Sequence, residues 1–138
     1  MNIQISNNAL SAIGGYKQFK IENELINLST LSDNECENIL ANEIIDYVSI
    51  ENIMSVVQQI VKKLRLGGTL VIGGTDIRLF AKNVSNCLIG EGEASQIIKE
   101  KLSMTNPQKI IGLLSQLGLK VQSSIISGVH YEITAVRG

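Results

Sequence analysis

The chain has 138 residues, of which 44% are hydrophobic and 18% charged, and its formal net charge is −1. That length holds one domain over residues 1–138, and the composition excludes a disordered chain. No lysine–arginine block stands out, which argues against a nucleic-acid partner, and no apolar run approaches the ~20 residues of a membrane-spanning helix.

Tryptophan is absent and aromatic residues make up 4%, so the core must be aliphatic, which suits strands buried on both faces. Cys36 and Cys87 lie far apart without metal-ligand spacing, and one histidine is too few for a Cys/His zinc site. No metal is expected, and both cysteines read as small buried hydrophobes in a reducing compartment. The opening Met1-Asn2-Ile3-Gln4-Ile5 lacks the charged-then-apolar pattern of a secretion signal. A soluble cytoplasmic protein is the expectation.

In chain order, Ile3 to Ser6 reads as a minimal strand, followed by strand segments at Tyr16–Ile21, Glu24–Leu28 and Asn38–Ala41. From Ser49 to Leu66 apolar residues recur at Ile50, Ile53, Met54, Val57, Ile60, Val61 and Leu64, the spacing of an amphipathic helix. Ser49 suits its N-cap, Lys62, Lys63 and Arg65 its last turn, and Gly67 its left-handed ending. Thr69 to Gly73 is then a buried strand, Asp76 to Val84 a short helix, and Ala94 to Leu102 another. Asn106 and Pro107 open a further helix that runs to Leu117, with Gly118 closing it. Two strands, Lys120–Ile126 and Val129–Val136, surround Ser127-Gly128 as a hairpin.

Several of these stretches resemble the later two-thirds of a class I S-adenosylmethionine-dependent methyltransferase domain. Ile26 to Asn34 and Asn38 to Val48 look like the passage in which one strand ends on a polar residue and the next leads into a helix. Leu64-Arg65-Leu66-Gly67-Gly68-Thr69-Leu70-Val71-Ile72 is similar to the family's "LKPGGTLVI", and Asn106 to Leu119 resembles its last helix and turn. The closing hairpin matches as far as Ala135-Val136-Arg137. The resemblance implies a three-layer-derived α/β fold, Rossmann-like, with a mostly parallel sheet, a C-terminal antiparallel hairpin and the N-terminal helices missing.

The family's cofactor residues carry over unevenly. Its glycine-rich loop would fall at Ile5-Ser6-Asn7-Asn8-Ala9, where no glycine stands before Gly14. Asparagine tolerates a positive φ but does not clear the way for a cofactor as glycine does. By resemblance Ser6, Asn7 and Asn8 would contact the cofactor's methionine end, Glu22 its ribose, and Asn27 and Asn42 its adenine side and pocket. A turn residue in Glu22-Asn23-Glu24 is the favoured reading of Glu22, and strand-end polarity explains the asparagines. Asp46 and Tyr47 stand where the family often has Glu-His, and they also suit a helix entry. Asp76, after the fifth strand, could face a substrate or equally cap the helix that follows it. His130, the one histidine, has no acidic partner evident in the sequence. No catalytic residue is named.

Nine residues separate Ser6 from Tyr16 and two separate Ile21 from Glu24. Parallel neighbours need a crossover of about a dozen or more. Covering helices are therefore absent on one side, and the third parallel strand is replaced by an antiparallel hairpin or one bent strand. An aliphatic face left open would call for a homo-oligomer, or for docking on a larger protein assembly. The sequence thus points to a degenerate, non-catalytic methyltransferase-fold subunit without cofactor. Two alternatives stand beside it: a small methyltransferase using S-adenosylmethionine through an atypical loop, and a ligand-binding module.

Overall fold

The computed structural model describes residues 1–7 and 13–138. The strands are β1 (Asn2–Ser6), β2 (Lys17–Glu22), β3 (Leu25–Ile26), β4 (Cys36–Ala41), β5 (Leu64–Thr75), β6 (Leu119–Ser127) and β7 (His130–Arg137). The helices are α1 (Ile53–Lys63), α2 (Ile77–Ser85), α3 (Glu91–Ile98) and α4 (Pro107–Gln116). Short 3-10 turns at Ile44–Tyr47 and Ile50–Asn52 lead into α1. All seven strands form one sheet in the order β3-β2-β1-β4-β5-β7-β6. β2, β1, β4 and β5 are mutually parallel, while β7 runs antiparallel between β5 and β6. This is the mixed sheet with a closing hairpin that the sequence implied.

Of the two brief N-terminal links, the one between β2 and β3 acts as expected, whereas the one between β1 and β2 joins parallel neighbours although it is shorter than a usual crossover. β1 and β2 pair in parallel across the short link at 7–16, part of which lies outside the described residues. β2 and β3 form an antiparallel hairpin through Asn23 and Glu24, whose φ values are +50° and +63°. Positive φ at both central residues is the mark of a type I′ turn, whose twist matches that of the strands it joins.

Helix α1 departs from its predicted ends. Ser49 does not cap it; a 3-10 turn intervenes and the helix begins at Ile53. Ile53, Val56, Val57, Ile60 and Val61 are its buried stripe, whereas Ile50 and Met54 are exposed. It ends at Lys63 because β5 starts at once, so Gly67, with φ +77°, lies inside a strand rather than at a helix end. The carbonyls left open at that end are met from across the sheet. Arg137 donates to the Val61 and Leu64 carbonyl oxygens and to Asn34 Oδ1, a cation at the negative end of the helix dipole. Helix α3 begins three residues before the expected Ala94, with Glu91 and Glu93 in its first turn, where acidic side chains favour the dipole. Helix α4 fits its sequence signal, with the Asn106 side chain accepting from Gln108 N at 3.0 Å.

The sheet has two unlike faces. Ile3, Ile39, Leu70 and Ala135 lie in one cross-strand row, and Ala41, Ile72 and Ile133 in the next. These residues share one core with the buried stripes of α1 and α4. The alternate positions are Asn2, Gln4 and Ser6 on β1, Asn38 and Leu40 on β4, Thr69 and Val71 on β5, and Glu132, Thr134 and Val136 on β7. Asn38 donates to Asn2 Oδ1 across this face at 3.0 Å, and Gln4 Oε1 accepts from Ile13 N at 3.0 Å. The expectation of strands buried on both faces, and of an open aliphatic face, is therefore corrected. Period-two alternation makes the second face mostly polar, the pattern of a sheet packed on one side. Among the described residues no helix is long and apolar enough to cross a membrane.

β5 passes close to its neighbours at Gly73. A Cβ there would collide with the carbonyl oxygens of Tyr131 and Asn42, and backbone on both sides leaves no flexible group to give way. Gly73→Ala is expected to lower stability by about 1–3 kcal/mol, the range for overpacking a filled site. Urea unfolding followed by circular dichroism measures it.

Candidate functional site

In open α/β sheets the ends where the parallel strands finish form a crevice for ligands. Here a cleft of about 200 Å³ lies at that end, lined by Asn7, Ile21, Asn23, Glu24, Tyr47, Glu100 and Leu102. Asn7 follows β1, Asn23 and Glu24 are the β2–β3 turn, and Tyr47 sits in the 3-10 turn after β4. Glu100 and Leu102 come from the segment between α3 and α4, and Glu100 has φ +65°.

Of the two carboxylates that line the cleft, Glu24 and Glu100, Glu24 is already engaged. Its Oε1 accepts from Ser49 N at 2.7 Å, Ser49 Oγ at 2.5 Å and Asn52 Nδ2 at 3.1 Å. The Ser49 hydroxyl, then the Ser49 amide and Asn52, hold its carboxyl below the usual range, since donors favour the charged form. This explains why Ser49 caps nothing: it ties the β2–β3 turn to the entry of α1. Across the cleft, Tyr47 hydrogen-bonds the Asn7 side chain. Burial, followed by the charges of Glu43 and Asp46, pushes the Tyr47 phenol up.

Beside the cleft, Asp46 fastens three segments. Its side chain, 3% exposed, accepts from Thr75 N at 2.6 Å and Thr75 Oγ1 at 2.9 Å, and pairs with Lys101 Nζ at 3.2 Å. Its backbone carbonyl accepts from Leu102 N at 2.7 Å. Ser103 Oγ donates to the Ile45 and Val48 carbonyls, and Thr105 Oγ1 meets the Tyr131 hydroxyl at 2.5 Å. Segment 101–105 is thus bound down across the end of the sheet, which brings Glu100 and Leu102 to the cleft.

The residues singled out by resemblance are dispersed. Ser6 ends β1 on the polar face and Asn7 lines the cleft, while Asn8 lies outside the described residues. Glu22 is exposed and pairs with Lys20 at 3.0 Å. It points away from the cleft's carboxylate position, which Glu24 fills, because a type I′ turn carries the chain back after Glu22. Asn27 makes a local turn with Ser29 N and Oγ, and lines a separate hollow beside α1 with Asp33 and Lys62. Asn42 donates to Glu132 Oε2 at 3.0 Å on the polar face. Asp76 caps α2 by accepting from Arg78 N and Leu79 N. Of the cysteines, Cys36 is buried but Cys87 is exposed, which corrects its reading as a core residue. The sequence reading missed Glu24, Glu100, Lys101 and Leu102; only the Asn23-Glu24 pair carried a signal, as a two-residue turn.

The strand order, the cleft at the ends of β1 and β2 and the antiparallel β7 decide the comparison. The fold is that of the class I S-adenosylmethionine-dependent methyltransferases. A methyltransferase of this dependence from Archaeoglobus fulgidus superposes with a TM-score of 0.66 at 12% identity, over 97% of this chain and 75% of that one. One from Methanosarcina mazei gives 0.63 at 9% identity, over 99% and 82%. The magnesium protoporphyrin IX methyltransferase of Synechocystis, solved with bound S-adenosylhomocysteine, gives 0.61 at 9% identity, over 94% of this chain and 55% of that one. No protein-family model and no curated protein sequence matches the chain. At these identities the methyltransferase likeness is one of fold.

Two predictions follow from the fastening around Asp46. Asp46→Ala strands the Lys101 ammonium and frees the Thr75 donors; a loss of about 3 kcal/mol is expected, as for breaking a buried pair, read by chemical unfolding. The second concerns Tyr131, whose phenol burial pushes up well above the usual tyrosine value against the opposing hydrogen bond of Thr105. A folded-state value above the unfolded one means stability held below pH about 10 and lost as pH rises beyond it. Unfolding midpoints measured from neutral to alkaline pH should fall there, and Tyr131→Phe should flatten the fall.

Proposed function

We propose that this chain is a degenerate methyltransferase-fold protein that does not transfer methyl groups and serves as an accessory or structural subunit. The observation that carries the reading is the β2–β3 turn, which folds the strand-end carboxylate Glu24 onto Ser49 and Asn52. An acidic group that holds a ribose must offer its oxygens to two hydroxyls; Oε1 of Glu24 already has three donors. β3 contributes two residues and runs antiparallel, so it supplies no third parallel strand as a wall. Glu100 and Leu102 take up space at the same end. These features speak against S-adenosylmethionine at this end of the sheet, and no transfer step is derived through it.

The competing reading is a small methyltransferase with an asparagine in place of the usual glycine loop. Asn7 favours it, because its side chain stands in the cleft beside Tyr47. Titration calorimetry with S-adenosylmethionine and S-adenosylhomocysteine separates the two. No heat of binding is expected in the wild-type chain. Micromolar binding that Asn7→Ala abolishes would establish the cofactor site and overturn the accessory reading.

A further inference from the structure

β6 ends the sheet on one side, with β7 as its neighbour on the other. Among the described residues no hydrogen bond reaches Lys120 to Ser127 from outside that pairing. A strand edge in this state is a row of N–H and C=O groups spaced to receive another strand, and proteins guard it with lysine, proline, a bulge or a very short strand. The opposite edge is guarded in the last way, since β3 has two residues. In β6 a register shift between Val121 and Ser123 distorts the first half. Beyond it, Ser123-Ser124-Ile125-Ile126-Ser127 pairs regularly with β7 and holds neither charge nor proline. All five residues are exposed, although Tyr131 and Ile133 beside them on β7 are buried. Ile125 and Ile126, on opposite faces, are 61% and 54% exposed.

The open groups state the occupant's chemistry. Amides and carbonyls in a line are matched by an extended chain, not by a helix face or a small ligand. Two properties then select a copy of this same strand. A twofold axis normal to the sheet sets a strand antiparallel to its own copy, and opposed residues share a face only when their numbers sum to an even value. Centring the axis on Ile125 meets that condition and uses the whole regular stretch. Ser123 then faces the partner's Ser127, Ser124 the partner's Ile126, and Ile125 the partner's Ile125. Self-pairing also sets charges against their own likes, which is destabilising. A stretch without charge carries no such penalty.

We propose that β6 of this chain pairs antiparallel with β6 of a second copy, joining their two seven-stranded sheets edge to edge. Each copy offers this edge once, so the assembly closes at two. The pairing gives the accessory role a surface without resting on it. The two fail separately: calorimetry judges the cleft, sedimentation the edge.

Sedimentation velocity of the full chain over a dilution series tests it. The wild type should be a dimer that dissociates on dilution, with no larger species. Ile125→Lys sets two ammonium groups against each other at the axis, and Ile125→Glu two carboxylates. Each variant should lower the dimer affinity at least about tenfold, with an unchanged far-ultraviolet signal. An equimolar mixture of the two variants should dimerise again, since the axial pair is then of opposite charge, and high salt should weaken that mixed dimer. Hydrogen exchange locates the contact: amides within 123–127 should exchange more slowly in the wild-type dimer than in the diluted monomer. A wild type that stays monomeric, leaving the edge to a strand of another protein, would overturn the proposal. So would a larger oligomer, a lysine variant that dimerises as the wild type does, a mixture that stays monomeric, or a dimer whose 123–127 amides gain no protection.

Discussion

The ligand end of this sheet is shaped by how little chain joins β1, β2 and β3. A two-residue connection excludes a parallel crossover; here it forms a hairpin, and the hairpin fixes where Glu24 points. Because Glu24 is then drawn to the Ser49 amide and hydroxyl, the entry of α1 is a 3-10 turn rather than a capped helix start. Tyr47, lying just before that entry, comes to face Asn7. The geometry of four segments thus follows from one short link.

The opposite half of the molecule is built on burial. α1 and α4 cover one face of the sheet with aliphatic side chains, and the end of α1 is tied by polar contacts from distant parts of the chain. Arg137 reaches the end of α1, and Lys63 donates to the Leu31 carbonyl and pairs with Asp33 at 3.0 Å. Asp46 and Tyr131 sit where the two halves meet, with every buried side-chain nitrogen and oxygen of the described residues partnered. Such a network fixes one arrangement, because an unpaired group there would cost more than a normal hydrogen bond returns.

Much of this was legible in the sequence where local signals agreed. Asn106, Pro107 and Gly118 bracket α4 with little error, and the alternation of residues 119–137 gives the hairpin. The strand order follows from resemblance. What the sequence concealed depends on distant partners. Ser49 has the chemistry of a cap, but a carboxylate 25 residues earlier claims it. Glu22 precedes the strand turn and looked like the cleft acid, yet two residues of positive φ hand that place to Glu24. The alternation of Asn2, Gln4 and Ser6 was in plain view. It was overridden by composition, since an isoleucine-rich chain suggests buried strands without saying which face they bury.

The position of β7 has a consequence for how the molecule is made. This strand follows β6 in the chain but lies between β5 and β6 in the sheet. During synthesis the inner edge of β5 therefore stays bare until residues 130–137 have left the ribosome, although every earlier strand is already present. The ladder then closes from the middle, through pairings distant in sequence, which are slow to form. Until that insertion the nascent chain exposes backbone ready to pair with a wrong neighbour.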